Sequence, residues 1–181
     1  MAKSLSIDEV KKIMGSKAGF QNIDVFVETG TFLGATVKNV CRYFKEVHTI
    51  ELSKELYQKA KSKFRALPIN FHFGDSRFII NELASKIQKS VVWFLDAHWS
   101  HGPTAGNEKG QVHVPLMDEL KSIVERNFSD LIIIDDVRLF GTNKKEDWSN
   151  VSYAGIINML QSRDYEVEML NDRMLIYLRN K

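Results

Sequence analysis

The chain has 181 residues, with 25 basic and 23 acidic side chains, a formal net charge of +2 and a pI of about 8.6. This length fits a single domain over 1–181, and so small a charge excess gives no argument for a nucleic-acid partner. The sequence has one cysteine, no apolar run near the roughly 20 residues of a membrane span and no signal-peptide pattern, so we expect a cytoplasmic, non-membrane protein.

Strand and helix patterns alternate along most of the chain. An N-terminal helical segment within 1–20 begins at SIDEVKKIM, where Ser6 and Glu9 have the spacing of a capping box. DVFVETG predicts the first strand, and GATVKNVCRYF predicts a helix. The apolar face of that helix is formed by Val37, Val40, Cys41 and Phe44. The next strands are VHTIEL (47–52), INFHFG, VVWFLDAH (91–98) and DLIIIDD, with helices SKELYQKAKSKFRAL, SRFIINELASKI and PLMDELKSIVERN between them.

The last third of the chain predicts a different arrangement. A helix over about 150–163 has one face formed by Tyr153, Ile156, Ile157 and Leu160. YEVEML and RMLIYLR are separated only by Asn171 and Asp172, which predicts a hairpin and an antiparallel final strand. The whole pattern predicts an α/β fold, a Rossmann-like, doubly wound and mostly parallel sheet of seven strands with an antiparallel C-terminal hairpin strand.

Acidic residues stand at the end of every predicted parallel strand. They are Glu28, Glu51, Asp75, Asp96 and the pair Asp135 and Asp136. Ligands bind at the carboxyl ends of the strands in such sheets, so we expect these carboxylates to share one rim. An acidic rim favours a cationic or amino-bearing ligand over a triphosphate. Asp75 precedes a helix, and a capping role is the alternative for that residue.

A glycine turn, Glu28-x-Gly30-x-x-x-Gly34, connects the first strand to its helix. About 20 residues later Glu51 is placed to hydrogen-bond the ribose hydroxyls of a nucleoside. The turn differs from the dinucleotide fingerprint, because Phe32 stands where a middle glycine would be, and no Gly-Lys-Ser/Thr of a P-loop follows. The turn therefore predicts a nucleoside site of another kind.

These residues, together with the FGDS segment and the closing hairpin, resemble class I S-adenosylmethionine (SAM) dependent methyltransferases over essentially the whole chain from about Ile23. The resemblance implies that Glu28 and the turn backbone hold the methionine part of SAM, Glu51 the ribose, and Asp75 with Ser76 the adenine surroundings. The implied cofactor-binding set is Glu28, Thr29, Gly30, Thr31, Phe32, Gly34, Ala35, Thr36, Glu51, Leu52, Gly74, Asp75, Ser76 and Asp96.

FLDAHW followed by LIIIDD is similar to the Mg-dependent small-molecule O-methyltransferases of the macrocin or sugar type and the catechol type. This similarity implies that Asp96, Asp135 and Asp136 hold one Mg²⁺ or Mn²⁺. Three neighbouring carboxylates would repel one another unless a proton or a cation lay between them. Adjacent strand residues point to opposite faces, so Asp135 and Asp136 share an ion only if the strand has turned. The alternative is that Asp136 caps or pairs with Arg138 and no metal binds.

The candidate general base is His98, two positions after Asp96, because a neutral imidazole accepts a proton near pH 7. His101 is the rival base. In the sugar-type relatives a proton acceptor occupies this place, whereas the catechol type has a lysine nearby. DAHWSH contains no lysine, which favours the sugar type.

A long connection over 99–114 predicts a substrate lid, since loops of this length are usually functional or disordered. A second loop, 138–148, is expected to face it across the pocket. Trp99 or Trp148 suits stacking on an acceptor ring, and simple packing is the alternative for each.

Together these features predict an SAM-dependent O-methyltransferase that acts on a hydroxyl of a small molecule, with a sugar or glycoside favoured. A metal-independent methyltransferase of RNA or protein and a catalytically silent SAM-binding module are the alternatives. The acidic rim argues against the first, as does DAHW in place of the Asn/Asp-Pro-Pro-aromatic motif of amino-group methylases. A nicotinamide-binding oxidoreductase would have the same order of strands and helices, but the glycine turn of this chain lacks the middle glycine of the dinucleotide fingerprint. The sequence also allows that a second copy of the chain, in a homo-oligomer, or a fused partner domain completes the pocket.

Overall fold

Helices and strands alternate as the sequence predicts in a computed structural model, which describes residues 4–101, 104–106, 112–144 and 146–180. The elements are α1 (Ile7–Gly15), β1 (Val25–Thr29), α2 (Ala35–Val40), β2 (Glu46–Glu51), α3 (Lys54–Lys63), β3 (Asn70–Phe73), α4 (Ser76–Lys86), β4 (Val91–Leu95), α5 (Leu116–Val124), β5 (Leu131–Ile134), α6 (Tyr153–Leu160), β6 (Tyr165–Leu170) and β7 (Arg173–Leu178). None of the described helices combines the length and hydropathy needed to cross a bilayer.

The seven strands form one sheet in the order β3-β2-β1-β4-β5-β7-β6. Neighbouring strands from β1 to β5 pair in parallel, and β7 pairs antiparallel with both β5 and β6. This confirms the predicted fold class and its C-terminal hairpin. The winding direction reverses between β1 and β4, where Thr29 is opposite Leu95, and the carboxyl ends at such a point form a ligand-binding crevice.

Helices cover both faces of the sheet, because its central strands β4 and β5 are apolar along their whole length and β1 is buried throughout. The buried residues of α1 and α2 pack on one face, and those of α4, α5 and α6 pack on the other. The four residues of the apolar face predicted for the helix after β1 are all buried, namely Val37, Val40, Cys41 and Phe44. The helix itself is shorter than predicted, since α2 ends at Val40 and the last two residues follow it. The capping box also forms, since the Ser6 hydroxyl accepts from the Glu9 amide and the Glu9 carboxylate accepts from the Ser6 amide.

Several elements are shorter than the patterns indicate. The strand predicted over 91–98 ends at Leu95, so 96–98 forms the start of a loop. The predicted burial of Tyr153 is wrong, because its side chain is 51% exposed. Ser152 caps the Gly155 amide and starts α6 at Tyr153, ahead of Ile156 and Leu160, which are buried.

Candidate cofactor and metal site

A cavity of about 580 Å³ opens at the carboxyl ends of the parallel strands. Its wall includes residues that end or follow each of these strands, namely Gly30, Glu51, Asp75, Asp96 and Asp136. Small-molecule pockets in proteins have volumes of about 300–1,000 Å³, so a nucleoside-sized ligand fits here. The sheet topology and the cavity therefore indicate the same position for the site.

The two glycines of the turn after β1 are required by the protein's own packing. Gly30 has a φ of +81°, and a Cβ at this residue would lie 2.6 Å from the carbonyl oxygen of Asp96. Gly34 has a φ of +74°, and its Cβ would overlap the ring of Phe64. Gly30 thus lets β1 and the loop after β4 approach closely, whereas Gly34 lets α2 begin against the end of α3.

The predicted cofactor-binding residues divide into two groups. Those that line the cavity are Gly30, Phe32, Glu51, Leu52, Gly74, Asp75, Ser76 and Asp96. The other described members of the set lie outside that lining, and these are Glu28, Thr29, Thr31, Gly34, Ala35 and Thr36.

Glu28 is buried beneath the turn rather than exposed in the cavity. It accepts a hydrogen bond from the Thr49 hydroxyl at 2.8 Å and another from Thr36. Burial raises the pKa of Glu28 to about 8, so the carboxyl is protonated at neutral pH. Glu28 therefore does not contact a ligand in the cavity directly. Its side chain instead supports the turn from the side away from the cavity.

Glu51 both lines the cavity and ties two loops together. One carboxylate oxygen accepts from the Phe32 amide at 2.8 Å, and the other accepts from the Ser53 amide at 2.8 Å. Burial raises the pKa of Glu51, and these backbone hydrogen bonds oppose that shift. Since each oxygen has two lone pairs, the carboxylate can still accept hydrogen bonds from a ligand in the cavity.

Asp75 has the capping role that was one of its two expected functions. Its carboxylate accepts from the Arg77 amide at 3.0 Å at the start of α4 and pairs with the Arg77 guanidinium at 2.6 Å. The residue also lines the cavity, next to Ser76. The two functions are therefore compatible at this position.

Three side chains from the loops after β4 and β5 could hold a metal ion, namely Asp96, His98 and Asp136, whose ligand atoms all lie within 4.8 Å of one another. His98 Nδ1 is 3.9 Å from Asp96, and His98 Nε2 is 3.6 Å from Asp136. Asp136 has a φ of +60°, so the backbone has already turned where its side chain points to this group. Burial, and then the charges of Asp135 and Asp136, raise the pKa of Asp96 well above its ordinary value.

Asp135, which the sequence analysis expects to share the ion, lies outside this group of three side chains. The buried guanidinium of Arg173, on β7, lies 3.3 Å from its carboxylate, and the same arginine pairs with Glu9 of α1 at 3.1 Å. The Asp135 carboxylate also accepts from the Asp136 amide at 3.0 Å. Arg173 is therefore the counter-ion of Asp135, and His98 takes the third place in the group. Asp136 in addition pairs with Arg138, as the alternative interpretation predicted.

Glu146 is a further acid of the site that the sequence analysis missed. Its carboxylate lies 3.7 Å from His98 Nε2 and accepts from the Trp148 indole at 2.9 Å. Trp148 is 3% exposed and its ring centroid lies 5.3 Å from that of His98, so it packs beneath the histidine. The only signal in the sequence was that Glu146 falls in the second loop, expected to face the pocket.

The predicted lid is described in part, because 102–103 and 107–111 lie outside the described residues. Within its described part, Ser100, His101, Thr104, Ala105 and Val112 line the cavity. The Trp99 ring contacts the His101 ring at a centroid distance of 4.1 Å and the His113 ring at 4.8 Å. His101, the rival base, is thus at the cavity wall and exposed.

No protein-family model matches the sequence, and no curated protein matches it. Solved structures share its fold. A candidate O-methyltransferase from Klebsiella pneumoniae has a TM-score of 0.61 at 13% identity, over 99% of this chain and 83% of that chain. A candidate methyltransferase from Streptococcus mutans in complex with SAH has 0.59 at 12%, and a candidate rRNA methylase from Clostridium thermocellum has 0.60 at 10%, each over 100% of both chains. At these identities the likeness shows the Rossmann-like methyltransferase fold.

Proposed function

We propose that the protein is an SAM-dependent O-methyltransferase that acts on a hydroxyl of a small molecule, with a sugar or glycoside as the favoured acceptor. The observation that carries this proposal is that Glu51 and the group Asp96, His98 and Asp136 line the same cavity. We call the part at Glu51 the nucleoside end and the part at Asp96 and Asp136 the ion-binding end. The Streptococcus mutans protein of the same fold is in complex with SAH, the demethylated form of SAM, which supports the choice of methyl donor.

The residues at the nucleoside end suit SAM. Glu51 offers a carboxylate at the end of the second strand, where a ribose diol can donate to it. Gly30 keeps the turn close to the Asp96 backbone, and Ser76 lines the wall where the adenine surroundings are expected. SAM supplies a methyl group on a positively charged sulfur, and the carboxylates of this rim favour that charge.

The residues at the other end suit a divalent ion. Asp96, His98 and Asp136 provide two carboxylates and one imidazole in a partly buried position. Carboxylate oxygens suit Mg²⁺ and Mn²⁺, and the imidazole in the set makes Mn²⁺ the better fit. A divalent ion held by these residues would lower the pKa of an acceptor hydroxyl and so favour the more nucleophilic alkoxide.

The proton of the acceptor hydroxyl needs a base, and three imidazoles of the described residues line the cavity, those of His98, His101 and His113. His113 Nδ1 already accepts from the Asp147 amide at 3.2 Å, which leaves His98 and His101 as the candidates. A nitrogen of His98 that binds the ion cannot accept the proton at the same time. We therefore assign His98 to the ion and His101 to the base role. The first expectation, in which His98 is the base, is the competing assignment.

Methyl transfer to a panel of sugar and phenolic acceptors, with and without Mn²⁺, tests the proposed function. We expect SAM to bind whether or not a chelator is present, and transfer to stop when the ion is removed. A chelated enzyme with full activity would exclude the ion from the reaction. Failure of the protein to bind SAM at all would overturn the function itself.

Two matched variants separate the roles of the histidines. His98→Gln is expected to weaken Mn²⁺ binding, whereas His101→Gln is expected to keep both SAM and Mn²⁺ affinity and to lower turnover. If His98→Gln keeps its Mn²⁺ affinity but loses turnover, His98 is the base and His101 is not.

The alternatives of the sequence analysis have distinct outcomes in the same assays. The ion-binding end of the cavity is rich in carboxylates, which repel the phosphates of RNA, so we expect no salt-dependent RNA affinity. Such an affinity, with transfer to RNA, would favour an RNA methyltransferase. SAM binding without transfer to any acceptor would favour a silent binding module.

A further inference from the structure

Helix α5 carries an acid on its buried face. Glu119 is 0% exposed, and it lies between Leu116 and Ile123 on the stripe that packs against the sheet. A carboxyl group in such a position destabilises a protein unless its hydrogen-bonding capacity is used. One of its oxygens, Oε1, has no hydrogen-bond partner among the described residues.

The other contacts of Glu119 lead to the proposed cofactor site. The Thr29 hydroxyl, at the end of β1, donates to Glu119 Oε2 at 3.5 Å. The Ser76 hydroxyl, at the start of α4, is close enough to this carboxyl to favour its ionised form and so to lower its pKa. The Thr29 hydroxyl in turn accepts from the backbone amide of Asp96 at 3.3 Å. One hydroxyl group can donate and accept in this way, so the bonds form a continuous chain from Glu119 to Asp96.

This chain begins where the regular pairing of the sheet ends. Thr29 and Leu95 are the last paired residues of β1 and β4, and the amide of Asp96 comes next. The Thr29 hydroxyl therefore adds one side-chain hydrogen bond beyond the last backbone pair. Asp96 and Ser76 both line the cavity, although Glu119 itself is behind the lining.

We propose that Glu119 is a positioning residue, which holds the start of α4 and the backbone of Asp96 in a fixed relation through Ser76 and Thr29. Its relevance to SAM rests on the proposed function. Burial raises the pKa of Glu119 to about 8, so the group is protonated at neutral pH and glutamine is its closest neutral replacement.

Amide hydrogen exchange at Asp96, measured by NMR, tests the chain of hydrogen bonds without any ligand. Glu119→Leu and Thr29→Val are each expected to speed exchange of this amide about fivefold, the factor given by loss of one ordinary hydrogen bond. The double variant should exchange little faster than the faster single variant, because both changes break the same chain. Glu119→Gln should keep the wild-type rate, and the amide of Val92 in the middle of β4 should be unaffected throughout.

The SAM dissociation constant of the same variants links the chain to the site. We expect the two disrupting variants to weaken SAM binding about fivefold and Glu119→Gln to retain it. Asp118→Asn, on an exposed residue of the same helix, is the matched control and should change neither quantity.

Each outcome has a separate meaning. Unchanged Asp96 exchange in folded Glu119→Leu, or exchange that rises everywhere along β4, would overturn the positioning role. If Glu119→Leu does not fold, an unchanged Asp96 amide in Thr29→Val has the same consequence. Altered exchange in a protein that binds no SAM would overturn the proposed function and leave the positioning role intact.

Discussion

The acidic side chains at the two ends of the cavity have different kinds of partner. At the nucleoside end, protein groups meet the carboxylates, since Glu51 accepts from two backbone amides and Asp75 pairs with Arg77. At the ion-binding end, Asp96 and Asp136 both face His98 at distances of 3.6 to 3.9 Å, longer than a hydrogen bond. Protein groups satisfy the acids of the first end, whereas the proposed ion would lie at the second, where Arg138 is the protein partner of Asp136.

The same contrast exists between two neighbours in the sequence. Asp135 has a buried counter-ion, Arg173, from β7, while Asp136 lies after the turn of the backbone and faces His98. Arg138 pairs with Asp136 as well, but its side chain is 53% exposed, whereas Arg173 is buried. A carboxylate with a buried arginine partner is the weaker candidate for a metal ligand. A comparison of variants of these two aspartates therefore tests most sharply where the ion binds.

The largest expected effect is the loss of methyl transfer in Asp136→Asn, by about 100-fold or more, because a ligand of the ion is removed. Asp135→Asn is the matched change, and its main effect should be on folding. We expect it to lower the free energy of unfolding by about 3 kcal/mol, since Arg173 loses a buried partner. Steady-state rates and urea unfolding of both variants measure these effects. Equal loss of transfer in both folded variants would contradict the distinction between the two residues.

An intermediate effect is expected from Glu51→Gln at the nucleoside end. The side chain of glutamine has one hydrogen-bond acceptor oxygen, whereas the Glu51 carboxylate has two. We therefore expect the SAM dissociation constant to rise about tenfold. Mn²⁺ affinity should stay the same, because Glu51 is not one of the three residues around the proposed ion. Glu55→Gln, at an exposed acid of α3, is the control. A change in Mn²⁺ affinity as large as that in SAM affinity would show that the two ends are not independent.

The smallest effect on methyl transfer is expected at Glu119, the buried acid of α5. The pKa of Glu119 is raised from 4.5 to about 8, so its stabilising contribution is complete below pH 4.5 and is lost as the pH rises through 8. Glutamine does not ionise, so the melting temperature of Glu119→Gln should exceed that of the wild type by a margin that grows from pH 5 to 8. A pKa raised from 4.5 to about 8 corresponds to about 5 kcal/mol, and each kcal/mol shifts the melting temperature of a chain of this size by about 2–4 °C, so we expect a difference on the order of 10 °C at pH 8.

Melting curves of both proteins across this pH range measure that margin. A constant difference between them would mean that Glu119 titrates near its ordinary pKa. Glu125→Gln, at an exposed acid at the end of α5, should show no pH-dependent difference, because its charge does not contribute to the raised pKa of Glu119.

Much of the fold was predictable because each element carries its own pattern. The apolar strands, the Ser6–Glu9 capping box and the Asn171-Asp172 turn are local signals, and the structure confirms them. The acids at the strand ends were predictable for the same reason, since parallel strands bring their carboxyl ends to one edge.

The finer arrangement of the site depends on contacts that are distant in the sequence. Arg173 lies 38 residues from Asp135, and the turn that aims Asp136 at His98 is a single backbone conformation. Glu119 could have been noticed as an acid within an apolar stripe, but its partners Thr29 and Ser76 are in other elements. Periodicity contains no information on such pairs.

Titration of Mn²⁺ into the SAM-saturated protein by calorimetry tests the central claim most directly. The account predicts one ion per chain for the wild type and for Asp135→Asn, and a loss of binding in Asp136→Asn. The absence of Mn²⁺ binding to the wild type, or equal binding to all three proteins, would contradict it.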